Sequence, residues 1–196
     1  MAAASDPERT FTVAVLQAGS DHYADGNPGL EANFDCLAAQ ARDAAEAGPD
    51  LMVFPEYAIT GWPYPSEDVM RGVAEPLPGE GEWYGRYVEL ARQTGTPLLG
   101  WLIEREEDRL FNAAFLISQD GAFMGKYRKV HANLGEQAWW GLSQGGSLEP
   151  LELNGVKIGV SICADMWFPV RGPAGRRPHR APVDRRRHAG HRPGAG

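Results

Sequence analysis

The sequence predicts a layered α/β fold with a mixed sheet. Three observations lead there. Up to Ile103, short apolar runs alternate with segments of helical apolar spacing, in the order β-α-β-α-β. Beyond it, two turn signals, Gln119-Asp120-Gly121 and Asn154-Gly155, each separate a pair of apolar runs and mark hairpins. Hydrophobic residues make up 43% of the 196-residue chain against 23% charged, which suits one domain with a proper core rather than two. The same composition excludes wholesale disorder, collagen and coiled coil.

Taken in order, residues 11–18 (FTVAVLQA) read as a buried strand. Residues 30–47 carry apolar side chains at helical spacing, and Gly48-Pro49 stops that helix. Residues 51–54 (LMVF) form a second buried strand ended by Pro55, and residues 82–93 a second long helix closed by Gly95. Residues 97–103 (PLLGWLI) make the third strand. Residues 111–118 and 122–128 flank the first hairpin turn, and residues 148–153 and 156–162 flank the second. No internal repeat is present.

No apolar run approaches the roughly 18–20 residues that span a bilayer, so no membrane partner is expected. The polar start, residues 1–10, does not read as a secretory signal. Two cysteines, Cys36 and Cys163, cannot build a disulfide framework, which fits a reduced, cytoplasmic protein.

The net charge of −7 conceals a sharp division after Val170. Residues 1–170 hold 11 Lys/Arg against 25 Asp/Glu, a net −14, whereas residues 171–196 hold eight arginines and one acid, a net +7. The tail has a single aliphatic side chain beyond alanine, Val183, and is expected to be disordered. It could be a basic arm for nucleic acid, although the −14 body opposes a polyanion and makes that partner unexpected. The genetic code supplies the favoured reading. Every residue type in the tail has codons beginning with G or C, as expected when a GC-rich gene is read out of frame. The expected organisation is thus a folded body over 1–170 and an out-of-frame tail over 171–196, and resequencing the gene through codon 170 tests it.

Sites in open α/β sheets gather at the carboxyl ends of strands. Glu56, Lys129 and Cys163 each fall at or just past such an end. Singly, each has a structural explanation: a solvated loop carboxylate, an anion-binding cation, a small buried hydrophobe. Together they supply a base, an electrostatic stabiliser and a nucleophile for acyl transfer. Competing motifs are weaker. Gly141-Leu142-Ser143-Gln144-Gly145 fits G-x-S-x-G but lacks the strand before and helix after that a serine elbow needs. Gly121 to Lys126 has the wrong spacing for a phosphate loop, and the histidines and cysteines show no metal-ligand spacing.

Three segments occur in order: Phe54-Pro55-Glu56-Tyr57 with Thr60-Gly61; Gly125-Lys126-Tyr127-Arg128-Lys129-Val130-His131; and Gly159-Val160-Ser161-Ile162-Cys163-Ala164-Asp165 with Phe168-Pro169. They resemble the signature segments of the nitrilase superfamily, the carbon–nitrogen hydrolases, and the resemblance covers about residues 11–169. Asn112 and the Asn154-Gly155 hairpin also sit where that family's pattern places them. The resemblance implies an α-β-β-α sandwich and a Glu-Lys-Cys triad, with Cys163 as nucleophile, Glu56 as general base and Lys129, rather than Lys126, as the cation. Glu136 matches a second glutamate of the family, expected to orient Lys129 or assist proton transfer. No metal or organic cofactor is expected.

A free thiol with a pKa of about 8.5 is mostly protonated at neutral pH, so Glu56 would take its proton while Lys129 stabilises the oxyanion. Nitrile-cleaving members follow the cysteine with Trp-Glu. Here Ala164-Asp165 follows, and the Asp165 and Phe168-Pro169 positions look more like the amidase and N-carbamoyl-amide branches, so the expected substrate is a small amide, with a nitrile as the alternative. Tyr57, Trp62, Trp139, Trp140, Asp165 and Trp167 are the candidates to line its pocket, the aromatics having core or interface packing as their other explanation. The resemblance further implies homodimers or larger oligomers in full-length members. It also implies a chain that continues well past the cysteine segment, so the expected fold is incomplete at the C-terminus, with apolar faces exposed and activity low or absent. An inactive fragment is the alternative to a working hydrolase.

Overall fold

The computed structural model describes residues 10–17, 29–61 and 66–168. The expectations for the tail 171–196 and for Trp62 lie outside the described residues. Seven strands, four α-helices and one 3₁₀ turn follow one another here: β1 Val13–Val15, α1 Gly29–Ala45, β2 Leu51–Val53, α2 Glu67–Val73, α3 Glu82–Thr94, β3 Leu98–Glu106, β4 Arg109–Ile117, β5 Phe123–Arg128, α4 Leu134–Trp140, β6 Leu151–Leu153, β7 Val156–Ile158 and the turn Cys163–Trp167.

The first five strands make one mixed sheet in the order β1-β2-β3-β4-β5. β1, β2 and β3 are parallel, with Val15 opposite Val53 and Val53 opposite Leu99. β3, β4 and β5 are antiparallel, with Ile103 opposite Asn112 and Ala113 opposite Arg128. β6 and β7 form a separate two-stranded ribbon across the Asn154-Gly155 turn. Both of its turn residues have positive φ, 51° and 80°, as a type I′ hairpin demands.

Pleating sorts the side chains into two apolar layers. One face packs against α1 and α3 around Tyr87, whose ring meets Phe34, Phe54 and Phe115 edge-on at centroid distances of 5.5, 5.1 and 5.2 Å. On the opposite face, Leu99, Trp101, Ile103, Leu110 and Tyr127 are covered by Met70 and Val73 of α2, Trp140 of α4 and Leu151 and Leu153 of β6. The result is the long helices α1 and α3 on one side of the sheet and the ribbon with the short helices α2 and α4 on the other, a mixed α/β sandwich. No helix of the described residues is long and apolar enough to cross a membrane.

Several elements differ from the sequence expectation. β1 is shorter than 11–18, β6 begins at Leu151 rather than 148, and β7 ends at Ile158 rather than 162. β3 runs on to Glu106 and returns directly into β4 through Glu107, which adopts φ 53° without being glycine or asparagine. The seven-residue helices α2 and α4 were not expected at all, being too short to show a helical period. Their starts are nonetheless capped. Ser66 Oγ accepts the Val69 N–H at 3.3 Å, and Asn133 and Glu136 form a reciprocal capping box. α3 begins at Gly81 without a side-chain cap of its own; the buried Glu75 carboxylate instead accepts the Trp83 and Tyr84 N–H groups, both at 2.8 Å.

Candidate active site

β2 and β5 run in the same direction, so Glu56, three residues past β2, and Lys129, one residue past β5, emerge at the same edge of the sheet. The Lys129 N–H donates to the Asn112 carbonyl at 2.8 Å, which holds Lys129 in register with β4. Alternation then turns Asn112, Tyr127 and Lys129 toward the layer that carries α4. There the buried Lys129 ammonium donates to Glu56 Oε1 at 3.0 Å and to Glu136 Oε1 at 2.8 Å. The Asn112 amide nitrogen donates to the same two oxygens, at 2.6 and 2.8 Å. Glu136 is wholly buried and also receives the Tyr57 hydroxyl on Oε1 at 2.8 Å and the Asn133 N–H on Oε2 at 2.7 Å.

The electrostatics follow from this hub. Burial alone would push the Lys129 ammonium toward its neutral form, but the Glu136 hydrogen bond and the Glu56 charge outweigh it, and its pKa is raised. The balance favours the charged ammonium at neutral pH. Glu136, saturated by donors, suits holding that cation better than exchanging protons with a substrate.

Cys163 opens the 3₁₀ turn with φ 47°, a left-handed conformation that an ordinary side chain adopts under strain. Tyr57, directly after Glu56, is strained in the same way at φ 58°. The thiol faces solvent, yet partial desolvation, and after it the Glu56 charge, raises its pKa; Lys129 and the Ala164 N–H pull in the opposite direction without prevailing. The direction of the shift favours the protonated Cys163 thiol at neutral pH.

Asp165 is placed differently from its expected substrate contact. It is turned inward, and its oxygens accept the Tyr127 hydroxyl at 2.8 Å, the His131 N–H at 2.8 Å and the Ile162 N–H at 3.1 Å, with His131 Nδ1 at 2.9 Å. Burial would raise its pKa, but these donors, His131 N–H foremost, lower it. This carboxylate ties the Cys163 turn to the segment that carries Lys129. His131 in turn stacks on Phe168 at 4.4 Å.

The expected aromatic pocket is divided by the structure. Tyr57 lies at the hub with its ring 4.4 Å from that of Trp101. Trp140, at the end of α4, is a core residue at 2% exposure. Trp139 and Trp167 stand in solvent at 72% and 81% exposure. Asn112 matched the family's pattern in the sequence but was given no role there, and Trp101, whose indole N–H donates to Asn112 Oδ1 at 2.5 Å, went unassigned. The available signal was an amide inside the otherwise apolar strand segment FNAAFLI, since a buried amide must find partners.

Comparison with known proteins bears on what this site does. The family model described as carbon-nitrogen hydrolase matches residues 12–171. A nitrilase of Pyrococcus abyssi is 30% identical over 150 residues, covering 75% of this chain and 56% of the relative. A deaminated glutathione amidase of Mus musculus is 32% identical over 171 residues, covering 80% of this chain and 50% of the relative. Among solved structures, Saccharomyces cerevisiae Nit3, a nitrilase-superfamily member of branch 10, superposes with a TM-score of 0.67 at 25% identity, covering 81% of this chain and 57% of that one. The chain spans about half the length of these curated relatives.

Proposed function

Because the chain belongs to the carbon–nitrogen hydrolase family, we propose that its chemistry is the hydrolysis of a small amide or N-carbamoyl amide through a thioester on Cys163. The observation that carries this reading is the Lys129 ammonium, buried and 3.0 Å from Glu56, with both charges acting on the Cys163 thiol.

Glu56 takes the thiol proton, and the thiolate attacks the carbonyl carbon. Lys129 stabilises the oxyanion that forms, and the Ala164 N–H, which favours the thiolate, is available as a further donor. The protonated Glu56 passes its proton to the departing nitrogen, so ammonia or an amine leaves and a thioester remains. Glu56 then takes a proton from water, the hydroxide attacks the thioester, and the acid is released with the thiol restored. These steps close on the chain's own side chains and water. Glu136 keeps Lys129 in place throughout, and Asp165 keeps the Cys163 turn against it.

An amide rather than a nitrile is favoured by Ala164-Asp165 after the cysteine, where nitrile-cleaving members carry Trp-Glu. Both names occur among the relatives. The test is release of ammonia or amine from a panel of short amides, each paired with the nitrile of the same acyl group. Turnover of amides that disappears in Cys163→Ala, with an acyl adduct on the intact protein by mass spectrometry, is the expected result. Equal turnover by Cys163→Ala refutes the nucleophile, and preference for the nitriles refutes the substrate class.

A further inference from the structure

We propose that Asn112 is a positioning residue that commits Glu56 to proton transfer through one carboxylate oxygen, Oε2. The proposal rests on the reading of Glu56 as the base for Cys163. Asn112 Nδ2 and Lys129 Nζ donate to the same pair of acceptors, Glu56 Oε1 and Glu136 Oε1, so the four atoms form a closed ring of alternating donor and acceptor. Glu56 Oε1 is thus loaded twice, by an amide and an ammonium. Among the described residues, Glu56 Oε2 accepts no hydrogen bond. A carboxylate pinned at one oxygen presents the other in a fixed direction, which is what efficient proton transfer needs.

The amide is itself held against rotation. Trp101 Nε1 donates to Asn112 Oδ1 at 2.5 Å, and the Trp101 ring packs on Tyr57. A flipped amide would turn Oδ1 toward two carboxylates and its NH₂ group toward an indole N–H, so both ends would be repulsive. Asn112 has 1% exposure, and Phe111 and Ala113 on either side are buried. The titratable groups facing Glu56 are Lys129, Glu136 and the Cys163 thiol, with the Tyr57 hydroxyl 3.3 Å from Asn112 Nδ2. The amide therefore sets the direction of the transfer.

The test uses the full chain carrying Cys36→Ser, so that Cys163 is the reacting thiol, and measures its rate of alkylation by iodoacetamide between about pH 6 and 10. The acid limb of that profile reports ionisation of the thiol, and Glu56→Gln, which removes a charge that raises the thiol pKa, should move it to lower pH. Asn112→Leu, which keeps the volume and removes the donor that holds the carboxylate in place, should move it the same way by a fraction of that shift. Trp101→Phe, which keeps the amide and frees it to rotate, should move it the same way by less still. Circular dichroism and a thermal melt accompany each variant, and Trp101→Phe decides the matter where Asn112→Leu does not fold. An unmoved limb in the folded variants, with Glu56→Gln still moving it, overturns the role of Asn112 alone. A limb that Glu56→Gln leaves unmoved overturns the placement of Glu56 against the thiol, and the proposal with it.

Discussion

Replacing Lys129 with methionine keeps the length of the side chain and removes the ammonium that Glu56 and Glu136 share. Lys129 and Glu136 are 1% and 0% exposed, so little solvent can take over the lost interaction; Glu56, at 22%, regains some hydration. Removing one partner of a buried pair costs about 3–5 kcal/mol. The Asn112, Tyr57 and Asn133 donors that remain on Glu136 place the expected loss near the lower end, about 3 kcal/mol. In urea unfolding that is a midpoint drop of about 1–3 M at an unchanged slope. The pH dependence separates this cause from simple cavity loss. The pKa of Lys129 is raised, so its contribution is fully present below the ordinary lysine value of about 10.4 and is lost only as pH rises through the raised value. Between about pH 5 and 8 the lysine is constant, so the deficit should hold steady there and shrink only at strongly alkaline pH. A loss below about 1 kcal/mol at neutral pH would refute the charge-cluster argument.

In Asp165→Asn the shape is kept and the charge lost. Because the folded pKa of Asp165 is lowered, its stabilisation is present above the ordinary aspartate value of about 3.9 and lost as pH falls through the folded value, so the variant should lose stability at neutral pH and converge on the parent in acid unfolding. Gly145→Ala puts a methyl 2.2 Å from the Arg128 carbonyl oxygen, beside the Gly145 N–H bond to the Lys129 carbonyl, and should cost about 1–3 kcal/mol in a thermal melt; a neutral result would show that this strand end gives way. Asn133→Ala removes the acceptor for the Glu136 N–H and should cost about 1 kcal/mol, with Cys163 alkylation slowed further if Lys129 shifts, since that cation is what opposes the rise of the thiol pKa.

Legibility in the sequence followed element length and the range of the contacts involved. α1 and α3 are long enough to display a helical stripe, and Gly95 ends α3 at φ 60° as its position suggested. α2 and α4 span two turns each and show no period, so only the caps Ser66 and Asn133 announce them. The β3–β4 hairpin was hidden because Glu107 reaches φ 53° without the residues that normally mark such a turn. At the site, Glu56, Lys129 and Cys163 were visible as reactive residues after apolar runs. The inward turn of Asp165 was not, because its donors come from Tyr127 and His131, more than thirty positions away, as well as from the neighbouring Ile162.

The strain at the site has a physical consequence that no local pattern announces. Tyr57 and Cys163, neither a residue type suited to positive φ, adopt it directly beside the carboxylate and at the sulfur, at a cost on the order of 1–3 kcal/mol each. Such conformations persist only where surrounding bonds over-determine them. On one side the Tyr57 hydroxyl bonds Glu136 and its ring packs on Trp101; on the other Asp165 gathers the Ile162, His131 and Tyr127 donors around the Cys163 turn. Both anchors reach the same sheet edge, through Glu136 to Lys129 and through Tyr127 to β5. Loosening either one should release its strained residue and widen the gap between sulfur and carboxylate, so the Tyr57 and Asp165 anchors would both act on the proton transfer proposed above.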